Sequence, residues 1–330
     1  MNVLSLFDGI SCARVALDRA GIAVNCYLAA EIDKNAIKIS EKNYPDIIHV
    51  GSVVDLEVEG QIDLLIGGSP CQDLSIAKKD RKGLDGDRSG LFWEYVRLKN
   101  ECKPQWFILE NVASMPKADR DIITKEMGVD PVMFNASLVS AQCRKRLFWT
   151  NIPFDLPEDR GIMLKDILQP DGEVDERMVM KERTLTLTPN KKEGEFVQVG
   201  YFGAENQCKV GGAALRVYDP KAKAPTLASV GHLVKVGHIG NSDAQANRVY
   251  DTDGKSATLS ANGGGLGAKT GLYQSNDRIR KLTPIECERL QGLPDNYTEG
   301  VATTNRYKCL GNAFNVDVIA HILSRVKLMY

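Results

Sequence analysis

NVLSLFDGISCARVALDRAG, at residues 2–21, contains a complete strand, turn and helix pattern. The apolar run 2–7 predicts a buried strand, and residues 8–11 (Asp-Gly-Ile-Ser) predict the turn that ends it. Across residues 12–19 the apolar side chains recur at helical spacing, and Gly21 is a typical helix stop. The chain therefore begins with the first half of a strand–helix–strand unit.

Three later apolar runs follow the same plan. Each predicts a strand that stops at polar or small residues: 26–30 before Glu31, 62–66 before Gly67-Gly68, and 105–109 before Glu110-Asn111. Strands that alternate with helical patterns indicate βαβ units. We therefore predict an α/β fold with a doubly wound, mostly parallel sheet.

The composition changes between residues 151 and 277, where glycine, threonine and valine dominate and helical periodicity fades. The tetrapeptide Arg-Val-Tyr-Asp occurs at 216–219 and again 32 residues later at 248–251, which predicts two similar hairpin units. Two copies are too few for a solenoid. We predict a smaller β-rich domain at 151–277.

Helical patterns return from residue 278. Thr283 followed by Pro284 is typical of a helix start, and 315–328 predicts an amphipathic helix that packs on the first domain. We therefore assign 1–150 and 278–330 to one large domain.

The composition of the 330 residues excludes several classes of protein. Hydrophobic residues make up 43% and charged residues 26%, as in a folded soluble protein, and the net charge of -1 does not identify a partner. The eight cysteines form no CxxC pair and there are four histidines, so no metal site is expected and the cysteines are predicted to be reduced in the cytoplasm. No stretch approaches the ~18 apolar residues of a membrane span.

The first two strand ends suggest a nucleoside site. Glu31 follows the first turn at about the 20-residue spacing at which an acid binds ribose hydroxyls. The turn at 8–10 lacks the GxGxxG pattern, so a cofactor without phosphates, such as S-adenosyl-L-methionine, fits better than NAD. The alternative is an ordinary turn with Asp8 as a cap and Glu31 in solvent.

Residues 67–72, Gly-Gly-Ser-Pro-Cys-Gln, place a cysteine just after a strand. Glycines allow close approach to a ligand, Pro70 stiffens the loop, and a thiolate is a strong nucleophile. Cys71 is thus a candidate catalytic residue, and inert burial is the alternative.

Further charged residues are candidates for the same cleft. Glu110 would face Cys71 unless it caps a helix. Arg144 and Arg146, two apart on a predicted strand, point to one face and suit a base carbonyl or a phosphate, with a solvated basic edge as the alternative. The basic, glycine-bearing segment 78–90 predicts a lid for nucleic-acid phosphates or a solvated loop.

Eight segments occur in an order that closely resembles the DNA cytosine-5 methyltransferase family: FDGIS, AAEID, GGSPCQ, GLFWE, ENV, QCRKR, LTPIECERLQGLPDNYT and CLGNAF. The resemblance covers 1–150 and about 278–320, and 67–84 is especially similar to the catalytic core of the animal de novo enzymes. It implies the Rossmann-like S-adenosylmethionine-dependent methyltransferase fold with a smaller β-rich target-recognition domain at 151–277.

The resemblance also implies roles for particular residues. Cys71 would be the nucleophile, Glu110 would contact cytosine N3 and its amino group, and Arg146 would contact the base carbonyl with Arg144 beside it. S-adenosyl-L-methionine, which becomes S-adenosyl-L-homocysteine, would be held by Phe7, Asp8, Gly9, Ile10, Cys12, Glu31, Ile32, Ser52, Val53, Pro70, Leu91, Asn312 and Ala313. Candidate DNA contacts are Gln72, Ser75, Lys78, Lys79, Arg81, Lys82, Arg88, Arg216 and Arg248.

One departure from the family concerns Gly51-Ser52-Val53, where an acid often follows the glycine. This weakens the usual contact to the adenine amino group. Small residues or glycines are also common in the family where Cys12 and Ala13 stand here.

The implied reaction is transfer of a methyl group to C5 of a cytosine flipped out of double-stranded DNA, through a covalent bond between Cys71 and C6. Implied partners are DNA and a cognate restriction endonuclease, for a monomeric, cytoplasmic bacterial or phage enzyme. The alternatives are an RNA cytosine-5 methyltransferase, a non-catalytic DNA-binding relative, and an oxidoreductase of Rossmann type, which the missing glycine pattern disfavours.

Overall fold

The computed structural model contains two main sheets. It describes residues 1–70, 91–180, 185–187, 198–200, 217–218, 233, 235–239, 247–261, 267, 269–275 and 278–327. Within these, residues before 151 form a seven-stranded sheet, and residues after 180 form a five-stranded sheet and a two-stranded ribbon.

The large sheet has the strand order β3-β2-β1-β4-β5-β7-β6. Its strands are β1 (Asn2–Leu6), β2 (Cys26–Ala30), β3 (Ile48–Gly51), β4 (Leu64–Gly67), β5 (Trp106–Val112), β6 (Val132–Asn135) and β7 (Lys145–Thr150). The first five run parallel, and β7 is antiparallel to both β5 and β6. The predicted doubly wound, mostly parallel sheet is confirmed. Its strand order reverses between β1 and β4, where such sheets form a ligand crevice.

The helices of the described residues flank this sheet. They are α1 (Cys12–Ala20), α2 (Lys34–Asn43), α3 (Phe92–Cys102), α4 (Lys117–Met127), α5 (Pro284–Leu290), α6 (Thr303–Asn312) and α7 (Val316–Lys327). As predicted, α1 stops at Gly21, whose positive φ of 69° ends the helix. Helix α7 returns from the end of the chain and packs on α1, also as predicted. None of the helices in the described ranges combines the length and apolarity that crossing a membrane requires.

Both faces of the large sheet are buried, because alternate side chains of each strand point to opposite sides. Val3 of β1 packs in a cluster with residues of α1 and α7. Its neighbour Leu4 packs in a second cluster with residues of α3 and α4. Each fully buried side chain of this size contributes roughly 1.5–3 kcal/mol. With both faces covered, the strand ends are the part of the sheet left for a ligand.

The smaller sheet has the order β14-β13-β12-β11-β8. Strands β8 (Leu185–Leu187), β11 (Lys235–Ile239), β12 (Arg248–Asp251), β13 (Leu272–Ser275) and β14 (Arg278–Arg280) build it, and β9 (Gln198–Gly200) pairs with β10 (Val217–Tyr218) in the ribbon. Both Arg-Val-Tyr-Asp repeats contain a strand, and each strand is antiparallel to the one before it. After the second repeat, residues 257–260 form no strand and β12 pairs in parallel with the next strand, β13, so the two similar hairpin units stay a prediction. Arg216 and Asp219 lie outside the described residues.

Two boundaries differ from the sequence-based expectation. Strand β5 runs on to Val112, because antiparallel pairing with β7 continues through Glu110 opposite Phe148 and Val112 opposite Arg146. Glu110 therefore lies inside a strand rather than after it. The smaller sheet extends to Arg280 through β14, past residue 277; the division into two domains stays a prediction.

The buried ion pair between Arg280 and Glu286 gives a stability prediction. Their side chains are 2% and 0% exposed and share two hydrogen bonds of 2.8 Å, and Glu286 also completes the predicted cap with Thr283. We expect Arg280→Met to lower the free energy of unfolding by about 3–5 kcal/mol, because it leaves a buried carboxylate unpaired.

Denaturant unfolding measures this difference. Arg278→Met is the matched control on the same strand, since Arg278 pairs with Glu176 in solvent and such pairs contribute about 0–1 kcal/mol. Equal losses in the two variants would contradict the prediction.

Candidate functional site

A cavity of about 340 Å³ lies at the carboxyl ends of β1, β2, β4 and β5. It is lined by residues of the β1–α1 turn, of the loop after β4 and of α6. It surrounds the point where the strand order reverses. The predicted cofactor residues that line it are Phe7, Asp8, Gly9, Ile10, Glu31, Ile32, Ser52, Val53, Pro70, Leu91, Asn312 and Ala313.

Cys12 is the predicted cofactor residue that does not line this cavity. It is the first residue of α1, its side chain is 1% exposed, and it packs in the hydrophobic core. Burial raises the pKa of its thiol far above the usual range. Cys12 therefore belongs to the core next to the β1–α1 turn and does not line the cavity.

Glu31 joins the ends of the first two strands. One carboxylate oxygen accepts a 2.8 Å hydrogen bond from the amide of Gly9, and the other accepts from the amides of Ile32 and Asp33, also at 2.8 Å. The carboxylate is thus held by three backbone donors at the cavity wall, unlike the freely solvated Glu31 of the alternative interpretation.

Asp8 has a structural environment. Its carboxylate accepts hydrogen bonds from the hydroxyls of Ser11 and Tyr27, at 2.5 and 2.6 Å. Burial raises the pKa of Asp8, although these hydrogen bonds lower it in part. The side chain thus fastens the β1–α1 turn to β2, but it does not cap α1 as the alternative expected, since the N-cap residue is Ser11.

The third strand end contributes a hydroxyl. Ser52 Oγ accepts a 3.1 Å hydrogen bond from the amide of Val54, and Val53 is buried beside it. A neutral oxygen therefore stands where an acid is common in the family named above.

An ion pair that the sequence did not reveal lies in the wall of the cavity. Lys308 of α6 lies 2.7 Å from Asp33, which caps α2, and both line the cavity. Burial alone would raise the pKa of Asp33, but hydrogen bonds from Lys308 and Asn35 outweigh it and lower the pKa. An aspartate just before a helix is a capping signal, yet the partner 275 residues away has no local signature.

Glu110 and Arg146 form an ion pair in the wall of the cavity. Glu110 Oε1 lies 2.8 Å from Arg146 Nε, and the two side chains are 12% and 16% exposed. Neighbouring antiparallel strands β5 and β7 carry them. The sequence-based expectation placed both residues in one cleft, and the structure brings them into contact.

The loop after β4 runs against this pair. A Cβ on Gly68 would lie 3.0 Å from Glu110 Oε2 and 2.9 Å from Phe314, so a larger residue would force the loop outward. Asn111 holds the next residue, since its amide nitrogen donates to Ser69 Oγ at 3.1 Å. These contacts hold the loop as far as Ser69, two residues before the candidate nucleophile.

Several predicted residues lie outside the described ranges. These are Cys71, Gln72, Ser75, Lys78, Lys79, Arg81, Lys82, Arg88 and Arg216. Arg248, the remaining candidate DNA contact, begins β12 and pairs across with His238.

Arg144 is more deeply buried than Arg146. Its residue is 4% exposed, and its guanidinium donates to the carbonyl of Ala313 at 2.9 Å and to that of Gly311 at 3.3 Å. Both arginines line the same cavity, as predicted, although β7 begins at Lys145, so that Arg144 lies just before the strand and not on it. A solvated basic edge does not describe Arg144.

The comparisons with known proteins agree with this architecture. A family described as C-5 cytosine-specific DNA methylase matches residues 1–328. The chain is similar to the type II methyltransferase M.HhaI of Haemophilus parahaemolyticus, with 29% identity over 98% of this chain and 93% of that protein. It is also similar to the orphan methyltransferase M.SPRI of Bacillus phage SPR, with 25% identity over 99% and 97% of the two chains. The solved S. pombe Dnmt2 methyltransferase has the same fold, with a TM-score of 0.62, 16% identity and coverage of 100% and 99%.

Proposed function

Because the chain belongs to the C-5 cytosine-specific DNA methylase family and is a DNA (cytosine-5-)-methyltransferase, we propose that its cavity binds S-adenosyl-L-methionine beside a cytosine that reacts with Cys71. The contact between Glu110 and Arg146 carries this proposal. It places a carboxylate and a guanidinium together in the cavity, next to the loop that leads to the cysteine.

The cavity suits a nucleoside bearing an amino-acid chain. Glu31 offers a fixed carboxylate for ribose hydroxyls, and Ile32, with 74% of its surface exposed, offers an apolar surface for a base. The turn lacks the glycine pattern of a pyrophosphate cradle. When bound, S-adenosyl-L-methionine supplies the electrophilic methyl group, and Phe7, Glu31, Val53, Leu91 and Asn312 are among the residues that would hold it.

We expect Glu31→Ala to weaken binding of S-adenosyl-L-homocysteine by roughly tenfold or more, because a hydrogen bond to a charged group contributes about 1.5–3 kcal/mol. Isothermal titration calorimetry measures the Kd. Glu41→Gln on the exposed side of α2 is the matched control and should bind as the unsubstituted protein does. An unchanged Kd in Glu31→Ala would remove Glu31 from the cofactor site.

Cys71, Glu110 and Arg146 each have a different role in the reaction of the base. Cytosine C5 is a poor nucleophile, so the Cys71 thiolate attacks C6 and the ring electrons move toward C5. Glu110 holds a proton at N3 of the ring. This proton stabilises the negative charge that the attack produces on the ring. Arg146 donates to the base carbonyl while keeping Glu110 in place. After methylation, a base such as water takes up the C5 proton as the C6–Sγ bond to Cys71 breaks, which restores the aromatic ring and the thiolate.

The base must leave the helix for this attack, since C6 is not accessible inside a duplex. Extrusion costs a few kcal/mol, and phosphate contacts from basic residues offset it. We propose that Gln72, Ser75, Lys78, Lys79, Arg81, Lys82 and Arg88 supply such contacts near the site. The β-rich segment 151–277, with Arg216 and Arg248, would read the target sequence.

The biological setting is proposed on the same footing. We propose a monomeric, cytoplasmic enzyme of a bacterium or phage that protects DNA against a cognate restriction endonuclease. The type II name of M.HhaI supports the restriction partner. The phage origin of M.SPRI, which is named an orphan methyltransferase, supports only the phage source.

Bisulfite sequencing of DNA from cells that express the chain tests the function and reports its target together. We expect 5-methylcytosine at one recurring short sequence. A parallel assay of methyl incorporation into DNA and transfer RNA distinguishes the substrates. Transfer to RNA alone would overturn the DNA assignment.

A further inference from the structure

The C-terminal end of α6 forms part of the wall of the cavity. Gly311, Asn312 and Ala313 all line the cavity. The last carbonyls of a helix have no partner within the helix and carry its negative end charge. The groups that donate hydrogen bonds to these carbonyls therefore determine the position of this part of the wall.

Gln291 donates to the carbonyl of Leu310 at 2.7 Å, and Arg144 serves the carbonyls of Gly311 and Ala313. The two terminal nitrogens of Arg144 each lie 3.3 Å from the Gly311 carbonyl, and one lies 2.9 Å from that of Ala313. A third carbonyl, that of Leu259, lies 3.5 Å away. A planar, forked guanidinium can serve several acceptors at once, whereas the single ammonium of lysine cannot reproduce this arrangement.

The end of α6 has little room to move toward residues 260–261. A Cβ on Gly311 would lie 2.3 Å from the backbone nitrogen of Ala261 and 2.5 Å from the carbonyl carbon of Ser260. The helix end is thus in direct contact with the segment that follows β12. Arg144 therefore joins the strand end at Lys145, the helix end and this segment.

Arg144 lies one residue before β7, and β7 carries Arg146, which pairs with Glu110. We propose that Arg144 is a positioning residue that holds the cofactor wall at a set distance from the Glu110–Arg146 pair. This deepens the proposed function and rests on it. A transfer reaction needs its partners about 3–3.5 Å apart, and a misplacement of about 1 Å can cost roughly 100-fold in rate.

Arg144→Lys tests the proposal. We expect kcat to fall by roughly 100-fold and the Kd for S-adenosyl-L-homocysteine to rise, with little change in the KM for DNA, in protein that circular dichroism shows to be folded. Arg144→Ala should show the same changes in kcat and Kd. Added ethylguanidinium, which replaces the missing guanidinium group, should restore part of the affinity of this variant for S-adenosyl-L-homocysteine. Gly311→Ala keeps the arginine but displaces the wall, and it should raise the same Kd.

Arg280→Lys is the matched control, because Arg280 is equally buried yet does not line the cavity. It should lower the melting temperature while leaving the Kd and kcat unchanged. If Arg144→Lys lowers only the melting temperature, the residue is merely structural and the inference fails. If Arg144→Lys does not fold, Gly311→Ala with an unchanged Kd overturns it. If the unsubstituted protein binds no S-adenosyl-L-homocysteine, the proposed cofactor site itself is wrong.

Discussion

Cys71→Ser is expected to abolish methyl transfer while leaving DNA binding largely intact. A serine hydroxyl is almost entirely protonated at neutral pH, whereas a cysteine thiol ionises readily and its thiolate is intrinsically a better nucleophile. Without a bond at C6, C5 cannot attack the methyl donor. Incorporation of labelled methyl groups into DNA should fall below detection, and a gel-shift assay should still show the complex.

A duplex with 5-fluorocytosine at the target position makes this test specific. Fluorine replaces the proton that must leave C5, so the unsubstituted protein should accumulate a covalent adduct that survives denaturation. Cys71→Ser should form none. Cys102→Ser, at the half-buried end of α3, is the matched control and should form the adduct normally. Turnover by Cys71→Ser would exclude the proposed nucleophile.

Glu110→Gln is expected to lower kcat by roughly 100- to 10,000-fold, the usual contribution of a positioned acid or base. The amide keeps the shape of the side chain but cannot hold a transferable proton at N3. It also removes the negative charge that lies 2.8 Å from Arg146. Single-turnover methylation measures the chemical step, and binding of S-adenosyl-L-homocysteine should persist.

Glu59→Gln, an exposed carboxylate before β4, is the control for Glu110→Gln and should retain full activity. If Glu110→Gln retained the unsubstituted rate in a single turnover, proton transfer at N3 would need another residue.

Local sequence patterns predicted much of the fold because local forces determine those elements. The strand at β1, the stop of α1 at Gly21 and the cap at Thr283 each depend on residues within a few positions. The position of the cavity could also be predicted, because the strand ends predicted from separate apolar runs meet at one edge of a parallel sheet. Twelve of the thirteen predicted cofactor residues line a single cavity for this reason, and Cys12 does not.

Pairings between distant segments could not be predicted in this way. Strand β5 includes Glu110 only because β7, more than 30 residues later, continues the pairing. Arg144 meets carbonyls 167 and 169 residues further along the chain, and the Lys308–Asp33 pair spans 275. A charged residue in a sequence has many possible partners, and only the assembled fold selects one.

The packing of α7 on α1 has a consequence for synthesis of the protein. A ribosome releases α1 long before α7, the helix that covers it, and before α6, whose end lines the cavity. The apolar side of α1 therefore stays exposed, or bound by a chaperone, until α7 has emerged. The nascent chain can acquire its binding cavity only after α6 has been synthesised.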